Sequence, residues 1–164
     1  MQKKFVAVIG YRKSGKSTII RCLTGCENGS FIGEIHDKEV NLSIFVHAPS
    51  PQEHIKTDLK VFDNYLQEAK KGKHIQGLVF AIQPTLPNRR LSMEQMFSLA
   101  RQRGFESYAF ILEHPYKGER IRNFDNIKSR VLDVDPDAKI FALNGHRFAI
   151  LNAEAIRSLS RLPS

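Results

Sequence analysis

Gly10-Tyr11-Arg12-Lys13-Ser14-Gly15-Lys16-Ser17-Thr18 is the stretch on which the rest of the chain is organised. A glycine, four residues of any type and then Gly-Lys-Ser is the spacing of the phosphate-binding loop, or Walker A motif. Gly10 and Gly15 admit backbone conformations closed to other residues and let the main chain approach a polyanion. N–H groups of the loop and of the helix after it then point at phosphate oxygens, at the positive end of that helix. Lys16 reaches the outer phosphates as a point charge, and the Ser17 hydroxyl is a ligand for magnesium. The flanks agree. Lys4 to Ile9 is an apolar run suited to a strand buried on both faces, and Lys16 to Thr24, stopped by Gly25, reads as a helix.

The chain has 164 residues, the size of a single domain with a real core, and its 41% apolar and 26% charged composition is that of a soluble globule. No apolar run approaches the ~20 residues that span a bilayer, and the N-terminus lacks a signal-peptide pattern. Cys22 and Cys26 have no second pair nearby, which argues against zinc and for reduced thiols in the cytoplasm. The formal charge of +8 suits a polyphosphate ligand or an acidic partner. Its basic residues are scattered in short clusters, such as Lys70-Lys71-Gly72-Lys73, at expected helix ends and loops. A solvated surface is therefore favoured over a nucleic-acid interface.

Beyond the first helix, Phe31 to Asp37 and Glu39 to His47 read as strands joined by a tight turn at Asp37-Lys38, hence antiparallel. Val40, Leu42, Ile44 and Val46 alternate as in a half-buried strand. Ser50 and Glu53 have the spacing of a capping box, with Pro51 at the first helical position. Ile55, Leu59, Phe62, Leu66 and Ala69 then form a helical stripe ending near Gly72. Ile75 to Gln83 is a buried strand. Ser92 with Gln95 forms a second capping box, stapled by Leu91 and Met96, and its helix runs to Gly104. Ser107 to Leu112 is the fifth strand, followed by a loop at Pro115 to Gly118. A helix bearing Ile121, Phe124, Ile127 and Val131, a sixth strand over Ala138 to Leu143 and a helix from Asn152 to Leu162 complete the chain.

Six strands and five helices in this order, with one hairpin directly after the phosphate loop, resemble the G domain of the Ras-like and translation-factor GTPases over almost the whole chain. The resemblance implies an α/β, three-layer fold of the P-loop NTPase type: a mostly parallel six-stranded sheet with one antiparallel edge hairpin. It implies phosphate-binding roles for Gly10 and for Lys13, Ser14, Gly15, Lys16, Ser17 and Thr18, and a magnesium-binding role for Ser17. The remaining family motifs depart. Where such GTPases carry Asp-x-x-Gly, this chain has His47-Ala48-Pro49-Ser50. Pro51 replaces the water-orienting glutamine, for which Gln52 or Glu53 are the neighbouring substitutes. Where Asn-Lys-x-Asp reads guanine, the chain has Glu113-His114-Pro115-Tyr116; Glu113 can accept from a base edge and Tyr116 or His114 can stack. The last base-contacting loop corresponds to Ala142-Leu143-Asn144-Gly145, and Ser30 stands nearest to the switch I threonine.

Lys16 and Glu53 are the candidate catalytic residues, and Glu113 and Asn144 join the loop as candidate nucleotide contacts. The leading expectation is a degenerate GTPase that binds GTP or GDP, or alternatively ATP, hydrolyses it slowly and acts through a protein partner. Losing the aspartate that orients magnesium costs rate more than phosphate affinity. The alternatives are an active NTPase using Glu53, Glu34, Asp58 or a partner's arginine, a small-molecule or nucleoside kinase, and an interaction module with a relic loop.

Overall fold

A computed structural model describes residues 2–53, 56–85, 91–113 and 124–162. The chain is α/β, with elements in the order β1 (Lys4–Ile9), α1 (Lys16–Thr24), β2 (Ile32–Asp37), β3 (Leu42–His47), α2 (Leu59–Lys71), β4 (Ile75–Ile82), α3 (Met93–Gln102), β5 (Glu106–Glu113), α4 (Phe124–Val134), β6 (Lys139–Asn144) and α5 (Ala149–Ser160). One six-stranded sheet runs β2-β3-β4-β1-β5-β6, parallel throughout except for the antiparallel β2–β3 pair at its edge. Fold class, strand count and the single antiparallel pair agree with the reading of the sequence.

Alternate residues of each central strand point to opposite faces. Phe5, Ala7 and Ile9 pack with Leu78, Phe80 and Ile82 under α2, α3 and α4. Val6 and Val8 pack with Val79, Ala81 and Phe110 under α1 and α5. Three layers result. Every residue of β1 is buried, so the period-two signal is absent from its sequence, as expected for a strand covered on both sides.

Two lysines at the start of β1 tie the layers together. Lys3 donates to the carbonyls of Ala69 and Gly72 at the end of α2, and Lys4 to those of Ser160 and Arg161 at the end of α5. Each ammonium meets the negative end of a helix on one face of the sheet. Burial lowers the pKa of both.

Local expectations fare unevenly. The Ser92–Gln95 capping box is present, with Ser92 Oγ accepting from Gln95 N–H and Gln95 Oε1 from Ser92 N–H, and Leu91 and Met96 are buried beside it. The Ser50–Glu53 capping box is not. Residues 51–53 form turns, α2 starts at Leu59, and its cap is Asp58, whose carboxylate accepts from Val61 N–H. Ile55 and Ile121 lie outside the described residues. The hairpin turn is also longer than expected. Asn41 takes φ 54° and Asp37 accepts from Glu39 N–H, so β3 begins at Leu42 and Val40 is 51% exposed instead of facing the core. Among the described residues, no helix is long and apolar enough to cross a membrane.

Gly77 has no room for a side chain against β1. It pairs with Lys4 of β1, and a Cβ there would lie 2.3 Å from the Lys4 carbonyl oxygen. Backbone has no rotamer with which to yield. Gly77→Ala is expected to destabilise the protein by about 1–3 kcal/mol, as overpacking does. Urea denaturation measures this, and a midpoint unchanged from the natural protein would contradict it.

Candidate phosphate-binding site

Adjacent strands β1 and β4 send their chains to opposite faces of the sheet, β1 to α1 and β4 to α3. In open α/β sheets a crevice opens at the carboxyl ends of such a strand pair, and ligands bind there. The loop 10–15 occupies that position. Gly10 N–H donates to Ile82 O at 3.0 Å, joining the two strand ends. A Cβ on Gly10 would lie 2.4 Å from Ser14 Oγ and 3.2 Å from Ser14 Cβ, so a side chain there would push Ser14 out of its place in the loop. Gly10 is not among the glycines with positive φ. Lys13 and Gly15 both take positive φ, 61° and 92°. Such turns aim successive N–H groups into one concavity.

Helix α1 begins at that concavity with Gly15 as its N-cap and without a side-chain cap. The first N–H groups of a helix have no partner within it. In α2 and α3 one such group is met by the side chain of Asp58 and of Ser92, whereas α5, like α1, starts without a side-chain cap. Nor does the first turn of α1 hold an acidic residue.

Lys16 lies at the same point and is 6% exposed. Its ammonium donates to Tyr11 O at 2.7 Å and, at 3.4 Å, to Ser14 Oγ, both belonging to the loop. Among the described residues no carboxylate lies within ion-pair distance of it. Burial pulls its pKa from the ordinary 10.5 to about 8, opposed by attraction to Glu53.

Ser17 is the next residue. Its hydroxyl donates to Ala48 O at 3.3 Å, and Gly29 passes so close that a Cβ on it would sit 3.4 Å from Ser17 Cβ. Thr18 and Lys13 are exposed. Glu53 stands at the rim, with Oε1 3.9 Å from Arg12 Nε. Both side chains face solvent, and such a pair contributes about 0–1 kcal/mol. Gln52 is unavailable to orient water. It is buried, its Oε1 accepting from Gln83 N–H at 3.0 Å and its Nε2 donating to Leu91 O at 3.3 Å, which ties this turn to the end of β4 and the start of α3.

Ser17 Oγ and Ala48 O are hard oxygen donors of the type magnesium takes, but two are too few for a cage made by the protein alone. Among the described residues no three His, Cys, Asp or Glu side chains converge. A magnesium ion here would have to be brought by its own ligand, with Ser17 Oγ as one protein donor.

His47 stands where the resemblance implied an aspartate. The ring is fully buried, stacked on Phe80 at 4.8 Å and 12°, with Nδ1 2.6 Å from Pro49 O and Nε2 3.0 Å from Thr57 Oγ1. A carbonyl only accepts, so Nδ1 carries the proton and the Thr57 hydroxyl can donate to Nε2. Thr57 went unnoticed in the sequence, because nothing local marks a partner ten residues away.

At the other end of the crevice, Glu113 and Asn144 are paired in register at the tips of β5 and β6, and both are exposed. Gly145 N–H donates to Glu113 O at 2.9 Å, so that backbone group is already used. Asn144 Oδ1 accepts from His146 N–H at 2.9 Å. Ser30 is exposed, with its N–H donating to Asn28 Oδ1 at 2.9 Å. His114 and Tyr116 lie outside the described residues. No model of a known protein family matches the chain, and no curated protein matches its sequence.

An aspartate at position 47 should therefore not create magnesium binding. His47→Asp would place a carboxylate against Phe80 without the ring that spans Pro49 and Thr57. It is expected to cost about 3–5 kcal/mol, as an uncompensated buried charge does, with no gain in magnesium affinity. Denaturant unfolding and magnesium titration in the presence of nucleotide check both halves.

Proposed function

We propose that the chain is a nucleotide-binding P-loop protein of small-GTPase type. It takes GTP or GDP, with ATP as the alternative, on Gly10 and Lys13 to Thr18, turns it over slowly and serves a regulatory or scaffolding role in the cytoplasm through a protein partner. The observation that carries this reading is Lys16. A desolvated ammonium without a counter-ion in contact costs folding free energy, on the order of 3 kcal/mol for a pKa brought from 10.5 to about 8. A phosphate at the uncapped start of α1 would offset that cost and fill the orphan N–H groups in one step. The G-domain assignment rests on the element order and the intact first motif. Glu113 and Asn144, side by side at the strand tips, are the proposed base contacts.

Slow turnover is expected from the surroundings of the loop. Phosphoryl transfer is accelerated by positioning and by neutralising charge. His47 and Gln52 are both committed to packing and hydrogen bonds within the protein, so neither orients magnesium or water. A second reading, an active NTPase, is favoured by one observation: Glu53 stands at the loop rim, within reach of Arg12. Magnesium-dependent turnover abolished by Glu53→Ala would select it.

Calorimetry with GTP, GDP and ATP tests the proposal. Lys16→Met is expected to weaken binding by roughly 10- to 100-fold, the value of a charged hydrogen bond, and to leave the nucleotide-free protein as stable as before or more so. Absence of any nucleotide binding, in protein freed of carried-over ligand, would sink it. The pH dependence has a definite sign. Because the folded pKa is depressed, the unfolded chain holds more protons between about 8 and 10.5, so the Lys16 contribution to stability rises with pH across that window. Bound phosphate restores the higher pKa, so binding above pH ~8 takes up protons and weakens as pH rises. Buffers of different ionisation enthalpy measure that uptake.

A further inference from the structure

A cleft of about 440 Å³ opens at the opposite end of α1 from the phosphate loop, beneath the β2–β3 hairpin. Leu23, Ile35, Leu42 and Ile44 line it with hydrocarbon, and Arg157 of α5 contributes its charge. Its size is within the usual range for small-molecule sites. With a rise of 1.5 Å per residue, α1 separates it from Lys16 by about 10 Å.

Arg157 is incompletely partnered. Nη2 donates to Leu23 O at 2.8 Å, Nε is buried without a hydrogen bond, and among the described residues no carboxylate lies within ion-pair distance of it. A guanidinium carries five N–H donors. With Nε enclosed and one Nη2 hydrogen on Leu23 O, the remaining Nη hydrogens are what Arg157 offers a carboxylate. The other charge lining the cleft, Asp37, is committed to the hairpin turn, accepting from the N–H groups of Glu39 at 2.9 Å and Val40 at 3.4 Å. It disfavours a multiply charged head group and leaves the Arg157 side as the place for a single negative charge.

We propose that this cleft binds a medium-chain carboxylate, its head on Arg157 and its tail along Ile35, Leu42 and Ile44. The site is separate from the phosphate loop and does not depend on what the loop binds.

Cys22 supplies a local readout, since its thiol is exposed and lines the same cleft while Cys26 is buried. The experiment follows the rate at which a maleimide modifies Cys22, located by peptide mass spectrometry, with decanoate, decanol or acetate added. Decanoate is expected to slow the reaction saturably, by roughly tenfold once the thiol is covered; decanol should protect only at much higher concentration and acetate not at all. In Arg157→Gln the concentration of decanoate needed should rise by roughly tenfold or more, as loss of a charged hydrogen bond predicts. Arg157→Lys should fall between. No protection by decanoate, or equal protection by decanol, would overturn the proposal in the natural protein alone, whether or not the variants fold. Undiminished protection in a folded Arg157→Gln variant would overturn it as well.

Discussion

Strand β1 is buried on both faces and hydrogen-bonded on both edges, so the chain leaves its C-terminal end from a fixed point. The whole molecule is arranged about that strand. Gly77 leaves β4 no room for a side chain against Lys4 of this strand, and Lys3 and Lys4 anchor a helix on each face. The chain beyond Ile9 inherits this rigidity. The loop from Gly10 is held to β4 by a backbone hydrogen bond before any ligand is considered, and α1 starts where the strand directs it. A concave set of N–H groups is useful only when preorganised, because ordering a free loop around an anion would consume much of the binding free energy.

The segment after β3 shows the opposite use of rigidity. His47 stacks on Phe80 and spans Pro49 and Thr57, while Gln52 reaches both the end of β4 and the start of α3. Switching loops are drawn from the weakly packed parts of a protein. Here buried polar side chains fasten the segment to the sheet, and moving it would leave Gln83 N–H and Thr57 with hydrogen bonds to replace. A structure that senses the outer phosphate by moving this loop is hard to reconcile with such fastening. One that holds a phosphate and presents a fixed surface is not.

Much of this was legible in the sequence wherever a single element carries its own signal. Strand β1 has its unbroken apolar run, α3 its capping box and α2 its buried stripe of Phe62, Leu66 and Ala69, although Leu59, expected in the same stripe, is exposed. What stayed hidden depends on partners distant in sequence. Ser50 and Glu53 have the spacing of a cap, yet the backbone there forms turns, and Asp58 supplies the cap five residues beyond Glu53. The hairpin turn needed a left-handed residue, and Asn41 provides it, moving Val40 out to solvent. At the site, residue types and spacing identify the loop, but burial of Lys16, closure over Ser17 by Ala48 and the locking of His47 are properties of the assembled layers.

Helix α1 meets its two ends differently. At its C-terminus the unpartnered carbonyls are met by the protein itself: Gly25 N–H and the Thr24 hydroxyl bond to Arg21 O and Ile20 O, and Arg157 bonds to Leu23 O. At its N-terminus there is no capping side chain, no acidic residue in the first turn, and a buried cation at the place where these would stand. An uncapped start is not peculiar to α1, since α5 also begins without a side-chain cap or an acidic residue in its first turn. What sets α1 apart is the buried ammonium of Lys16 at that end, and a side-chain N-cap there would be worth about 1 kcal/mol. A buried cation beside uncapped N–H groups is the combination that an anion from outside the chain would satisfy.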